Sequence, residues 1–351
     1  MMNISMIGTG SFGTSLAMVL DSNHHDVLMY GRNEQTIDEI NNNHSNKKYL
    51  KDIELTESIR ATNDLKEAVT HGDLLVLAVP VKAMRSVSKE INKLLNDLDK
   101  KVLICHVAKG LELGSYKRVS EVISEEIDEK NYTDIAILSG PSHAEEVSLK
   151  QPTTVSTASI NKTGQKEIQD VFINKYFRVY ENNDLIGVEV GGALKNIIAL
   201  AIGVLDGLGF GDNTKSAVIT RGLHEIARLG TKVGANPLTF MGLTGVGDLI
   251  VTAMSEHSRN FRCGRMLASG QSLDEIIENM GMVVEGVNTT KAAYELSKIH
   301  NVDMPITNVL YKYLFESISE KDALLTLMMR ERKSETEELV DIMRNHLEME
   351  K

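Results

Sequence analysis

Cysteine is scarce in this chain: two in 351 residues, Cys105 and Cys263. No disulfide framework can be built from them, and a reducing, cytoplasmic setting is expected. Positive charge is also short. Lys and Arg number 38 against 49 Asp and Glu, a formal net charge of −11. Such a chain binds nucleic acid poorly, and an anionic ligand needs cations gathered locally. Long apolar runs are missing. The most apolar stretch, Ile197 to Leu205, is cut by Asp206 and reads as too short to span a bilayer. The opening residues, Met1-Met2-Asn3-Ile4-Ser5, have no basic region and no cleavage-site pattern, so no signal peptide is expected. Histidines are scattered without zinc-ligand spacing, so no metal site is expected. No internal repeat or low-complexity segment stands out. Hydrophobic residues at 42% and charged residues at 25% match a soluble globular protein, with length enough for two domains.

What is present begins with Gly8-Thr9-Gly10-Ser11-Phe12-Gly13. It follows a short apolar run, Ile4 to Ile7, and leads into an apolar, small-residue run, Thr14 to Leu20. That is the strand–turn–helix order of a dinucleotide-binding turn. Gly8 permits the tight turn, Gly10 clears space for a pyrophosphate, and Gly13 lets the helix pack on the strand. The N–H groups and positive end of the helix then face the phosphates.

The chain reads as two halves. From Asn3 to about Tyr180, strand-like runs (Ile4–Ile7, Val27–Tyr30, Leu74–Val79, Val102–Val107, Ile135–Leu138, Thr153–Thr157, Phe177–Tyr180) alternate with amphipathic stretches such as Leu65–His71, Met84–Leu95 and Val119–Ile127. This predicts a parallel sheet with crossover helices and ligands outside its carboxyl edge. From about Gly187 strand signals stop and helical patterns take over: Gly187–Leu205, Ser216–Val233, Phe261–Ala268, Leu273–Met280, Thr289–His300, Ile306–Phe315 and Lys321–Met329. The expected domains are therefore 1–186, an α/β Rossmann-type dinucleotide-binding domain, and 187–333, an all-α substrate domain. A charged extension, 334–351, follows, in which Leu339, Ile342, Met343 and Leu347 share one helical face.

The second expected strand ends in Gly31-Arg32-Asn33, with no carboxylate before Glu34. Arg32 is placed to meet a 2′-phosphate, which favours NADP over NAD; a solvated loop arginine is the alternative. Lys47-Lys48-Tyr49 could flank the adenosine end, with Tyr49 stacking. In the second half, Lys195 and Asn196 interrupt a very apolar helix after Gly191-Gly192. A desolvated lysine beside a second cation can trade protons with a substrate oxygen; a snorkelling lysine is the alternative. Asp248, after Gly245-Val246-Gly247, could orient that lysine or cap a helix. Ser258-Arg259-Asn260 suits phosphate binding, with a structural salt bridge as the alternative for Arg259. Lys109 and the run Ser139-Gly140-Pro141-Ser142-His143-Ala144 each follow an expected strand.

These blocks together resemble the bacterial NAD(P)-dependent glycerol-3-phosphate dehydrogenases. GTGSFGTSLA at 8–17, HVAKG at 106–110, SGPSHAEEV at 139–147, GGALKNIIALAIG at 191–203, GVGDLIVT at 245–252, HSRN at 257–260 and VVEGVNTTKAA at 283–293 follow in order. The resemblance implies an oxidoreductase that reduces dihydroxyacetone phosphate reversibly to sn-glycerol 3-phosphate for glycerophospholipid synthesis. It implies Lys195 as proton donor, with Asp248 and Lys109 beside it. Lys109, Gly140, Ser142, Lys195, Asn196, Asp248, Ser258, Arg259 and Asn260 would contact substrate. Gly8, Gly10, Ser11, Phe12, Gly13, Arg32, Tyr49, Lys109, Ala144, Arg259, Val283 and Glu285 would contact NADP or NAD. It also implies a cytoplasmic homodimer. A two-domain dehydrogenase of a 3-hydroxy acid or sugar acid would not need the phosphate site, and a non-catalytic nucleotide sensor would leave Lys195 unexplained.

Overall fold

The computed structural model describes residues 1–281, 283–329, 340 and 342–344. Most of the 334–351 extension, including Leu339 and Leu347 of its expected helical face, lies outside the described residues. The chain divides into two compact units. One holds Met1–Ala108 and Val119–Leu185; the other holds Lys109–Arg118 and Ile186–Lys351.

The first unit is built on strands β1 (Asn3–Ile7), β2 (Asp26–Tyr30), β5 (Arg60–Thr62), β6 (Leu74–Leu77), β7 (Val102–His106), β8 (Tyr132–Ser139), β9 (Thr153–Ser159) and β10 (Phe177–Glu181). They form one sheet in the order β10-β9-β8-β7-β6-β1-β2-β5. A short antiparallel pair, β3 (Ser45–Asn46) and β4 (Leu50–Glu54), stands apart from it. The helices are α1 (Ser11–Ser22), α2 (Glu34–Asn43), α3 (Leu65–His71), α4 (Val81–Leu98), α5 (Val119–Glu126), α6 (Ala144–Ser148) and α7 (Thr163–Phe172).

Alternation along each strand feeds two cores. Met6, Leu74, Val76, Leu103 and Cys105 face Leu16, Val19 and Leu20 of α1 and Ile168 and Phe172 of α7. Ile7, Leu75, Leu77 and Ile104 face Met84, Val87 and Ile91 of α4 and Val122 and Ile123 of α5. With helices on both faces, the strands must be apolar on both sides, which is why they read as continuous runs. Each fully buried Leu or Ile there contributes roughly 1.5–3 kcal/mol.

One expectation fails. The sheet is not wholly parallel: β8 and β9 pair antiparallel, while β9 and β10 are parallel. The helix between β8 and β9 has five residues, a rise of about 7 Å. No long crossover helix forms here, and β9 starts beside the end of β8 and runs back, pairing Ser156 with Ser139.

The second unit contains α8 (Leu185–Gly207), α9 (Asp212–Lys232), α10 (Asp248–Ala253), α11 (Arg259–Ala268), α12 (Leu273–Met280), α13 (Glu285–Ile299), α14 (Pro305–Phe315) and α15 (Glu320–Met328). A π-helical turn, Leu243–Gly247, leads into α10. At 23 residues, α8 is longer than its apolar run suggested, and its length and composition suffice to cross a membrane. Most of it is buried instead, in the core with Ile226, Leu229, Phe240 and Leu249. Its packing against α11 is backbone-close: a Cβ on Gly264 would lie 2.3 Å from the Leu200 carbonyl oxygen. Leu273–Met280 begins with a full capping box between Ser272 and Glu275. Ile342 is buried with this core.

Candidate active site

In the first unit, β1 ends at Ile7 and α1 begins at Ser11. Gly8 has φ +129°, and a Cβ there would meet the Ala78 carbonyl oxygen at 2.5 Å, past the end of β6. The conformation and the space both demand glycine. A Cβ on Gly13 would lie 2.5 Å from the Gly8 oxygen, so α1 packs directly on the turn. Gly10 is the N-cap of α1 and makes no side-chain cap; the first turn has no acidic residue, and the Cβ position of Gly10 opens on empty space. Ser11 and Phe12 supply the first helical N–H groups. A glycine-lined helix start without a competing carboxylate suits a pyrophosphate, so these residues fit a dinucleotide.

Asn46 was not singled out from the sequence. Its buried Nδ2 donates to the Thr9 carbonyl and to Thr14 Oγ1, both at 2.9 Å, and so braces the glycine turn. It lies in the two-residue β3, where no hydrophobic pattern could mark it. Tyr49 follows in the same turn. Its N–H donates to the Asn46 carbonyl, and the Lys48 ammonium lies 5.3 Å from its ring centre. Arg32 is exposed just past β2, while its neighbour Asn33 caps α2 through Thr36 N–H at 2.9 Å. At the end of β8, Gly140 has φ +148°, and Ser142 Oγ donates to its carbonyl at 2.9 Å. Ala144 is buried at the start of α6, which packs beside α1.

In the second unit, Lys195 is 5% exposed and Asp248 is 1% exposed. The Lys195 ammonium donates to Asp248 Oδ1 and, at 2.6 Å, to Thr252 Oγ1. Lys109 Nζ donates to Asp248 Oδ2 at 2.7 Å. One carboxylate thus bridges two ammonium groups. Burial pushes the Lys195 pKa down to about 7; Asp248 opposes that shift and Lys109 adds to it. Burial alone would raise the Asp248 carboxyl, yet the two ammonium groups hold it below its ordinary value. The snorkelling alternative for Lys195 and the capping alternative for Asp248 both fall away: the N-cap of α10 is Gly247, and no side chain caps it.

The local sequence explains this contact. Gly191 lies one turn before Lys195 on α8, and a Cβ there would meet the Thr244 carbonyl at 2.5 Å. Within the π-helical turn, a Cβ on Gly245 would fall 1.9 Å from the Phe240 carbonyl. Gly191 admits the turn close to α8, which brings Asp248 to Lys195, and Gly245 lets the turn fold onto the Phe240 backbone before it. Thr252 lies one turn beyond Asp248 and on its face. Its hydroxyl donates to the Asp248 carbonyl at 2.6 Å, leaving its lone pairs for Lys195. Thr252 stood in the sequence block without a role; the i, i+4 spacing from Asp248 is the signal for it.

A chain of amides adjoins this centre. Gly286 N–H donates to Asn260 Oδ1, Asn260 Nδ2 to Asn196 Oδ1, and Asn196 Nδ2 to the Lys109 carbonyl, at 2.8, 2.8 and 3.2 Å. Ser258 is the N-cap of α11, its Oγ accepting from Phe261 N–H at 3.3 Å. Arg259 is exposed and donates to the Val283 carbonyl at 3.0 Å. Glu285, half-buried, opens α13. Lys109, Lys195, Asn196, Asp248 and Asn260 therefore form one connected cluster, with Ser258, Arg259, Val283 and Glu285 along its adjoining helix starts.

Comparison with known proteins identifies the family. The family model described as NAD-dependent glycerol-3-phosphate dehydrogenase N-terminus matches residues 3–165, and its C-terminus counterpart matches residues 184–325. The glycerol-3-phosphate dehydrogenase (NAD(P)+) of Macrococcus caseolyticus is 56% identical over 335 residues, covering 95% of this chain and 100% of that protein. The protein of the same name from Bacillus pumilus is 54% identical over 345 residues, covering 98% and 99%. The crystal structure of glycerol-3-phosphate dehydrogenase from Coxiella burnetii superposes with a TM-score of 0.88 at 35% identity, covering 94% of this chain and 99% of that one. The chain belongs to the NAD-dependent glycerol-3-phosphate dehydrogenase family.

Proposed function

We propose that this enzyme reduces dihydroxyacetone phosphate to sn-glycerol 3-phosphate with NAD(P)H, reversibly, through the Lys195 centre. The observation that carries this reading is the buried Lys195 ammonium, held by Asp248 and Thr252 with a pKa near 7. A lysine so tuned carries a proton at neutral pH and releases it readily. A reduced nicotinamide cofactor, held by the glycine turn before α1, would supply the hydride that the ketone carbon needs. Lys195 Nζ gives its proton to the oxygen as negative charge develops there, and Lys109 adds a second positive charge. Asp248 orients both ammonium groups. Asn196 and Asn260, fixed by their amide chain, present remaining N–H donors to substrate oxygens. Ser258, Arg259 and the start of α11, a ten-residue helix, hold the substrate phosphate, whose binding energy fixes the ketone's orientation.

In the first unit, Gly8, Gly10, Ser11, Phe12 and Gly13 hold the pyrophosphate. Arg32 meets the 2′-phosphate of NADP, and Tyr49 offers a ring face to the adenine. Ala144 serves the cofactor and Gly140 and Ser142 the substrate from this unit; in the second unit Arg259, Val283 and Glu285 serve the cofactor. We further propose residues 1–186 as the cofactor domain and 187–333 as the substrate domain, in a cytoplasmic homodimer feeding glycerophospholipid synthesis. Following reduced-nicotinamide absorbance tests the reading. NADPH should be oxidised rapidly by dihydroxyacetone phosphate and far more slowly by unphosphorylated dihydroxyacetone. A higher kcat/KM with NADPH than with NADH is expected, and Arg32→Ala should abolish the difference. Equal rates with both ketones would remove the phosphate site.

A further inference from the structure

Residues 109–118 are a short excursion: the chain passes into the second unit at Lys109 and returns to the first at Val119. The excursion is closed on itself. Tyr116 N–H donates to the Glu112 carbonyl at 2.8 Å, Glu112 N–H donates to the Lys117 carbonyl at 3.0 Å, and Tyr116 takes a left-handed φ of +58°. Its two ends lie on α8. Lys109 receives Asn196 at its carbonyl, Leu111 is buried against Ala193 and Ala292, and Arg118 Nη1 donates to Glu189 Oε2 at 2.6 Å. Glu189, Ala193 and Asn196 are spaced i, i+4, i+7, one stripe of the helix. The strap therefore lies along α8 antiparallel to it, pinned at three successive turns.

We infer that Arg118, Glu189 and Leu111 are positioning residues, which pin the 109–118 strap to α8 and so hold the Lys109 ammonium against Asp248. Glu189 has a side chain only 3% exposed, and its partner Arg118 is 17% exposed. A carboxylate that deep needs a cation, so the pair fixes the register of the strap. Leu111 sets its depth. Lys109 is nine residues from Arg118, and its Nζ reaches the Asp248 oxygen that Lys195 does not use. Withdrawing Lys109 has two effects on Lys195 of the same sign. A neighbouring positive charge is lost, and the Asp248 carboxylate is left wholly to Lys195. Both favour the protonated lysine.

The sign separates three roles. Loosening the strap raises the proton affinity of Lys195. Deleting the Glu189 charge without moving the strap leaves Arg118 uncompensated and lowers it. A merely structural role leaves it unchanged. The kinetic arm of the test rests on Lys195 as proton donor, so a second arm is independent of catalysis. In the apo protein, trace acetic anhydride labelling read by mass spectrometry gives the pH midpoint of Lys195. Wild type should titrate near 7. Lys109→Met should move the midpoint up by on the order of one pH unit. Glu189→Gln and Leu111→Ala should move it in the same direction, and Glu189→Gln should add nothing in the Lys109→Met background. The alkaline limb of kcat for ketone reduction should follow. Leu111→Ala changes no charge and keeps the test intact should Glu189→Gln fold poorly. A midpoint in Leu111→Ala that stays at the wild-type value or falls overturns the inference, as does a Glu189→Gln shift that adds to that of Lys109→Met. Labelling midpoints that rise without a matching kinetic limb would uphold the strap and overturn the proton-donor reading.

Discussion

The proton inventory of this site rests on one buried lysine. In the proposed mechanism, ketone reduction uses protonated Lys195, and the reverse oxidation uses the neutral amine. Because burial brings its pKa down to about 7, kcat for reduction should fall as pH rises through about 7. The oxidation of glycerol 3-phosphate should rise over the same interval. Lys195→Ala should lower kcat by a factor on the order of 10² to 10⁴, with the dissociation constant for NADPH nearly unchanged. A variant that keeps its kcat would remove Lys195 from the chemistry. Asp248→Asn gives the complementary outcome. The carboxylate favours the charged lysine, so its loss should move the alkaline limb of reduction to lower pH, while kcat/KM falls. A limb that moves up instead would show Asp248 acting otherwise. At this scale much was legible. Lysine in an apolar helix is conspicuous, and so is an aspartate after glycines. What the residues alone left open was which partner each takes. Asp248 reads equally as a helix cap or a counter-ion, and only the approach of the π-helical turn to α8 decides it.

That approach is a property of elements. Gly191 on α8 admits the backbone at Thr244, and the packed turn aims Asp248. Gly191→Ala places a methyl carbon within 2.5 Å of a carbonyl oxygen that belongs to backbone. The turn must shift, with a cost of about 1–3 kcal/mol. Thermal denaturation should show a lower Tm, and kcat should fall further than the stability loss explains, because Asp248 moves with the turn. An unchanged Tm and kcat would mean the approach is not needed. The strands were legible because sheets covered on both faces leave apolar runs. The reversal between β8 and β9 was not, since the connection holds only a five-residue helix without strong periodicity, and an apolar run reads the same in either direction. Asn46 escaped for a related reason: its work is done by tertiary contact from a two-residue strand.

At the scale of the molecule, burying ionisable groups sets how stability depends on pH. Lys195 is one such group, and the proposed chemistry explains it. Glu225 is another, 2% exposed on α9 and far in sequence from every proposed site residue on α8 and α10. Its carboxylate accepts from Ile306 N–H at 2.5 Å, and from Thr307 N–H and Oγ1 at 3.1 and 3.0 Å, so it anchors the start of α14. Burial nevertheless outweighs these bonds and raises its pKa to about 7 from 4.5. The folded state therefore holds the proton more tightly than the unfolded chain. Stability from this group is complete below about pH 4.5 and is lost as pH rises through about 7, by up to ~3 kcal/mol. Glu225→Gln cannot ionise and escapes that loss, though it gives up an acceptor at the helix start. The sign of its effect at one pH is thus mixed, but the trend is not. The Tm of Glu225→Gln minus that of wild type should grow more positive between pH 5 and pH 8. A difference that stays flat across that interval would mean that the hydrogen bonds from α14 keep Glu225 ionised throughout, and that burial is not what governs its charge.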